Sequence, residues 1–137
     1  MSLVVDASMT MAWLFDEGRG DAPEKVLRKV AAEGANVPSL WRLEVANSLR
    51  NAIRRQRCDA AYAAQCLQRL HQMWITVDAE TDARAWGPTR QLADDHDLTL
   101  YDAAYLELAL RRARPLASCD ETLIKAGRQA GLEVLAG

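Results

Sequence analysis

The sequence predicts an α/β fold of three layers, α/β/α, built on a central, mostly parallel sheet. Two observations point there. Short apolar runs, each too short for a helix of ordinary length, recur from "LVV" near the start to "LEVL" at the end. Longer amphipathic segments separate most of them, so consecutive strands are joined by helices that cover both faces of a parallel sheet rather than by tight turns.

In chain order, "LVVDAS" reads as a buried strand that ends at the turn-prone Asp6. "MTMAWLF" is a short helix. "DAPEKVLRKVAAEG" is a second, with Asp21 as cap, Pro23 in its first turn and Gly34 as its stop. "ANVPS" is a brief strand ended by Pro38, after which Ser39 caps a long helix through "LWRLEVANSLRNAIRRQR". A helix from Asp59 to Gln72, capped by Asp59, leads to a β-branched strand, Trp74 to Val77. "AETDARAWGPTRQLADD" has a helical pattern with an expected break or kink at Gly87-Pro88. The helix in "LTLYDAAYLELAL" follows, with Thr99 and Asp102 at the spacing of a capping box. "PLASC" is then a strand, "DETLIKAGRQAG" a helix capped by Asp120 and stopped by Gly131, and "LEVL" the last strand.

Half of the 137 residues are apolar, enough for one domain, residues 1–137, with one core. No apolar run approaches the ~18 residues that would suggest a membrane span. The start "MSLVVDAS" lacks a basic segment leading into an apolar one, so a cytoplasmic protein is expected. Three cysteines, Cys58, Cys66 and Cys119, form no CxxC pair and read as reduced, mostly buried residues. A net charge of −2 excludes a polybasic nucleic-acid binder, yet arginine clusters locally. Arg50, Arg54, Arg55 and Arg57 form one group, and Arg111, Arg112 and Arg114 another. Solvated helix faces and phosphate-binding surfaces are both open readings of these groups.

Ligands of parallel sheets gather outside the carboxyl ends of the strands, where strand order reverses. Asp6 ends the first strand and Asp120 follows "PLASC", so both belong to that rim. At 100° per residue, Trp41, Val45, Leu49, Ala52 and Ile53 make the apolar stripe of their helix. Glu44, Asn47, Ser48 and Asn51 form a polar stripe along its border. Asp102 opens a helix that is apolar nearly all round and so close to the core. Carboxylates crowded together raise one another's pKa, and a bound cation resolves the repulsion. Oxygen-only ligands favour Mg²⁺ or Mn²⁺ over zinc, and His71 and His96 have no helical histidine partner.

With these acids in order and spacing, the chain resembles the PIN-domain nucleases, most closely the VapC-type ribonuclease toxins of toxin–antitoxin pairs. The matching pieces are "VVDASMTMAWLF", "LWRLEVANSL", "LTLYDAAYLELAL" and "LASCDETLIKAG", which together span essentially the whole chain. The resemblance implies a PIN-like nuclease domain with Asp6, Glu44, Asp102 and Asp120 as metal-binding and catalytic acids, supported by Ser8, Asn47 and Ser118. It further implies Mg²⁺ (or Mn²⁺) as cofactor, an RNA substrate, a homodimer and a cognate antitoxin partner, sought on the exposed part of the Trp13 or Glu44 helix. Two departures stand out. Ser118 sits where the family often has threonine, and Asp97 where the turn before "LTLYD" often carries glycine, so a differently shaped turn is expected there.

Rival readings fare worse. A haloacid-dehalogenase-type phosphotransferase needs a second Asp where Ser8 stands, and a receiver domain needs a strand-end Asp where "NAIRRQR" lies. A free-standing PIN-like nuclease, or a non-catalytic RNA-binding or interaction module, stays open on sequence alone.

Overall fold

Each short apolar run becomes a three-residue strand in the computed structural model, which describes residues 2–137. The strands are β1 (Leu3–Val5), β2 (Ala35–Val37), β3 (Ile75–Val77), β4 (Leu116–Ser118) and β5 (Val134–Ala136). They form one sheet in the order β3-β2-β1-β4-β5, with every pairing parallel. β1 and β4 are buried at every position because helices cover both faces of the sheet centre.

The strand order explains which helix lies where. From β1 the chain steps outward to β2 and β3, then returns to the other side of β1 for β4 and β5. Right-handed crossovers therefore put the helices before and after that reversal on opposite faces. The first set is α1 (Ala7–Leu14), α2 (Ala22–Glu33), α3 (Trp41–Arg54) and α4 (Ala60–His71). α1 packs on α2 and α3, and α3 on α4. The second set is α5 (Thr81–Arg84), a π-helical turn (Ala85–Thr89), α6 (Arg90–His96), α7 (Leu100–Arg112) and α8 (Glu121–Gln129). α7 lies against β1 and β4 and beneath α6 and the π turn, which accounts for a helix buried at every position from Ala103 to Ala109. Among the described residues, no helix is long and apolar enough to cross a membrane. All three cysteines are free, and Cys66 and Cys119 are buried.

Several expectations change in detail. Ser39 does not cap α3. The helix starts at Trp41 with Leu40 in the cap position, and the Ser39 N–H donates to Thr81 Oγ1 at 3.1 Å instead. Pro38, Ser39 and Leu40 form a turn closed by the Trp41 N–H on the Pro38 carbonyl, which moves Ser39 one residue too far out to cap. Asp21 precedes α2 but makes no capping bond, pairing instead with Lys25 at 3.5 Å. At Gly87-Pro88 the helix neither ends nor breaks. Pro88 cannot donate to the fourth carbonyl back, and the chain widens by one π-helical turn before continuing as α6. β3 begins at Ile75, leaving Trp74 exposed before it.

Asp97 takes a left-handed backbone, φ 53° and ψ 51°, the conformation that glycine adopts freely and aspartate tolerates. The departure from glycine therefore leaves the hand of this turn as glycine would set it. Gly34, φ 81°, stops α2 as expected and has a second constraint, since a Cβ there would lie 2.9 Å from Trp74 Cδ2.

Candidate active site

The strand order reverses between β1 and β4, and the acids at their carboxyl ends meet there. Asp6 leaves β1 in extended backbone and caps α1, its Oδ1 accepting the Met9 N–H at 2.9 Å. It is almost wholly buried, at 4% exposure. Two hydroxyls serve it. Ser118 Oγ, at the end of β4, donates to Asp6 Oδ2 at 2.6 Å, and Ser8 Oγ stands 2.8 Å from both oxygens. Each hydroxyl also accepts a backbone proton, Ser8 from Cys119 at 2.9 Å and Ser118 from Asp120 at 3.0 Å. The ends of the two central strands are thus stitched together through Ser8 and Ser118. Burial raises the Asp6 pKa, the bonds from Ser118, Met9 and Ser8 oppose that rise, and the nearby Asp120 charge adds to it.

Asp120 caps α8, with Oδ1 accepting from Thr122 at 2.9 Å and Leu123 at 3.3 Å. Its second oxygen has no hydrogen-bond donor among the described residues. Glu44 follows the same pattern from α3, whose first residue is tied to α1 by Trp41 Nε1 donating to Thr10 Oγ1 at 3.1 Å. The buried Tyr105 hydroxyl on α7 donates to Glu44 Oε1 at 2.5 Å. Burial raises the Glu44 pKa, the tyrosine bond lowers it, and the Asp6 charge raises it again.

Asp102 stands in the first turn of α7, half-buried. Thr99 caps the helix, its Oγ1 accepting the Asp102 N–H at 3.1 Å. The return arm of the expected capping box is missing, so the Asp102 carboxylate accepts no backbone proton. Burial, then the charges of Asp120, Asp6 and Glu44, push its pKa up from 3.8 to about 6. Asp102 therefore lies within reach of the charges of the other three acids at this rim. Ser8 and Ser118 hydrogen-bond Asp6, whereas Asn47 is exposed and its side chain makes no hydrogen bond among the described residues.

Among the described residues, no three His, Cys, Asp or Glu side chains are grouped tightly enough to enclose an ion by themselves. The donor set is all oxygen, with uncommitted oxygens on Glu44, Asp102 and Asp120. This suits Mg²⁺ or Mn²⁺. Mg²⁺ keeps several of its waters and is held by one or two carboxylates rather than by a protein cage.

Two features escaped sequence reading. Tyr105 lies one turn beyond Asp102, and a buried tyrosine hydroxyl in search of a partner was the available signal. The other is the fate of the second arginine cluster. Arg111 forms a fork on buried Asp78, with Nη2 to Oδ2 at 2.7 Å and Nη1 to Oδ1 at 3.0 Å. It also grips Glu107 through Nε at 2.8 Å and Nη2 at 3.0 Å, and Arg112 reaches Asp78 at 3.3 Å. Arg111 is therefore internal glue between α7 and the end of β3, not a surface cation. Its i,i+4 spacing from Glu107 was the only hint.

The PIN-domain sequence profile matches residues 3–129, a span that holds all four acids. The chain is 31% identical over 123 residues to Ribonuclease VapC3 of Pyrobaculum aerophilum, covering 90% of this chain and 92% of that one. Its fold is similar to the crystal structure of PAE2754 from Pyrobaculum aerophilum, with a TM-score of 0.71 at 23% identity, covering 98% and 90% of the two chains. It is also similar to Mycobacterium tuberculosis VapC20, described as a Sarcin-Ricin loop cleaving toxin, with a TM-score of 0.60 at 18% identity over 92% and 95%. With a matching profile over residues 3–129 and a relative 31% identical over 90% of its length, this chain belongs to the PIN-domain family.

Proposed function

We propose that this chain, as a single PIN-like domain, is a divalent-metal-dependent endoribonuclease acting as the toxin of a toxin–antitoxin pair. The observation that carries the reading is the set of four carboxylates at the reversal point of the sheet, where the charges of Asp120, Asp6 and Glu44 all raise the pKa of Asp102. The names of its curated relatives as VapC ribonucleases support RNA as the substrate.

When bound, Mg²⁺ or Mn²⁺ supplies an acidified water and neutralises charge on the phosphate oxygens. Asp6, Glu44, Asp102 and Asp120 would hold it, with Asp6 kept ionisable by its hydroxyl bonds and Glu44 oriented by Tyr105. Asp102 and Asp120 are the candidates to receive a proton from an attacking water. Ser8 and Ser118 hold Asp6 in register with β4. On this reading the protein works in the cytoplasm as a homodimer restrained by its antitoxin.

Purified protein is expected to cleave an RNA pool when Mg²⁺ or Mn²⁺ is added and to stop when EDTA is present. Asp6→Asn and Asp102→Asn are expected to abolish both cleavage and growth inhibition on induced expression. An RNA pool left intact under both metals, with growth inhibition unchanged in the two variants, would overturn the reading.

A further inference from the structure

Of the two arginine clusters, Arg111 and Arg112 are tied to Asp78, whereas Arg50, Arg54 and Arg55 make no ion pair among the described residues. Arg55 lines a cavity of about 220 Å³ together with Ser48, Asn51 and Arg57 from α3 and the segment after it, and Met11 and Glu17 from α1 and the segment after it. Neither the Ser48 hydroxyl nor the Asn51 amide has a hydrogen-bond partner among the described residues. Glu17 does not cancel the local positive charge, because Arg19 at 3.5 Å and Arg57 at 3.8 Å already face it.

The cavity is aligned with the acids. At 3.6 residues per turn, Glu44, Ser48, Asn51 and Arg55 return to one face of α3, and the eleven-residue step from Glu44 to Arg55 rises ~16 Å. An RNA backbone held at the acids has the length and charge to reach Arg55. We infer that Ser48, Asn51 and Arg55 form a phosphate subsite that holds the RNA backbone a few nucleotides from the bond being cut. The inference rests on the ribonuclease reading and adds to it a strand path along α3. Hydroxyl, amide and guanidinium donors suit a phosphodiester oxygen, and Arg55 contributes the charge. Such a contact positions the strand and reads no base, so it serves all sequences alike.

The test is fluorescence anisotropy of a mixed-sequence single-stranded oligoribonucleotide, titrated across a series of KCl concentrations in an Asp102→Asn background to prevent cleavage. Arg55→Ala is expected to weaken binding roughly ten-fold and to flatten the slope of log K against log salt by about 0.7, the signature of one lost phosphate contact on a single strand. Arg55→Lys should keep the slope. Arg28→Ala, which removes an α2 cation paired with Glu24 at 3.1 Å, should change neither quantity. If Arg55→Ala behaves as Arg28→Ala does, or both flatten the slope equally, the subsite is overturned and the nuclease reading stands. If the starting protein binds no RNA at all, both fall.

Discussion

The Tyr105 hydroxyl donates to Glu44 Oε1 at 2.5 Å, joining the two helices that bring acids to the rim from opposite faces of the sheet. The bond uses one carboxylate oxygen and aims the other. Burial and the Glu44 charge push the tyrosine pKa far above its ordinary value, so the hydroxyl stays a donor at every working pH. Tyr105→Phe keeps the buried ring and deletes only that donor. Outer partners of this kind are worth about 10–100-fold in metal affinity or activity. Calorimetric titration with Mn²⁺ should show a loss in that range, with a stability cost of about 1 kcal/mol.

Ser118→Ala removes the bond that most strongly counters the burial of Asp6. The Asp6 pKa should then climb further, so the acidic limb of the pH–rate profile moves to higher pH. Ser118→Thr should restore the limb, since threonine keeps the hydroxyl. An unmoved limb in Ser118→Ala would show that Asp6 does not depend on this bond.

Asp102 makes metal-free stability depend on pH in a direction opposite to an ion-paired acid. Its folded pKa, about 6, exceeds its ordinary 3.8, so the folded state binds the proton more tightly than the unfolded chain does. The stability it contributes is complete below about 3.8 and disappears as pH rises through about 6. Asp102→Asn should therefore raise the metal-free melting temperature by a few degrees above that range and change little below it. Mg²⁺ should raise the melting temperature of the natural protein and do far less for the variant. Thermal scans with and without EDTA would read both effects.

Arg111→Ala should be the most damaging single change away from the rim. It removes the two-pronged partner of Asp78, whose carboxyl is held well below the usual range chiefly by the Arg111 bonds working against burial, and leaves it only Arg112 at 3.3 Å, while Glu107 keeps only Arg84 at 4.0 Å. Breaking a buried pair costs about 3–5 kcal/mol. The sign with pH is the reverse of that for Asp102. The folded Asp78 pKa is depressed, so its stabilisation is present above 3.8 and lost as pH falls toward the folded value. Denaturant melts at neutral pH should show the full loss, narrowing as the solution is acidified.

Much of the fold was legible because its signals are local. Three-residue apolar runs, the Asp59, Thr99 and Asp120 caps and the Gly34 and Gly131 stops lie within a turn or two of the structure they specify. Misreadings came where local signals competed with distant partners. Ser39 had the chemistry of a cap but the turn closed by Trp41 on Pro38 leaves Leu40 in the cap position, and Gly87-Pro88 had the chemistry of a break but sits over α7, whose packing carries the helix through.

The acids Asp6, Glu44, Asp102 and Asp120 were legible because strand ends and helix faces dictate where a side chain must go. By itself the sequence determined the α/β alternation and which acids lie on the rim, both consequences of periodicity and residue chemistry. Only the tertiary structure decided that Ser118 and Tyr105 hydrogen-bond those acids, and that Arg111 is committed to Asp78 and Glu107 while Arg55 makes no ion pair among the described residues. Those outcomes depend on pairs as distant in sequence as Ser118 and Asp6, whose 2.6 Å bond exists only because the strand order reverses and puts β4 beside β1.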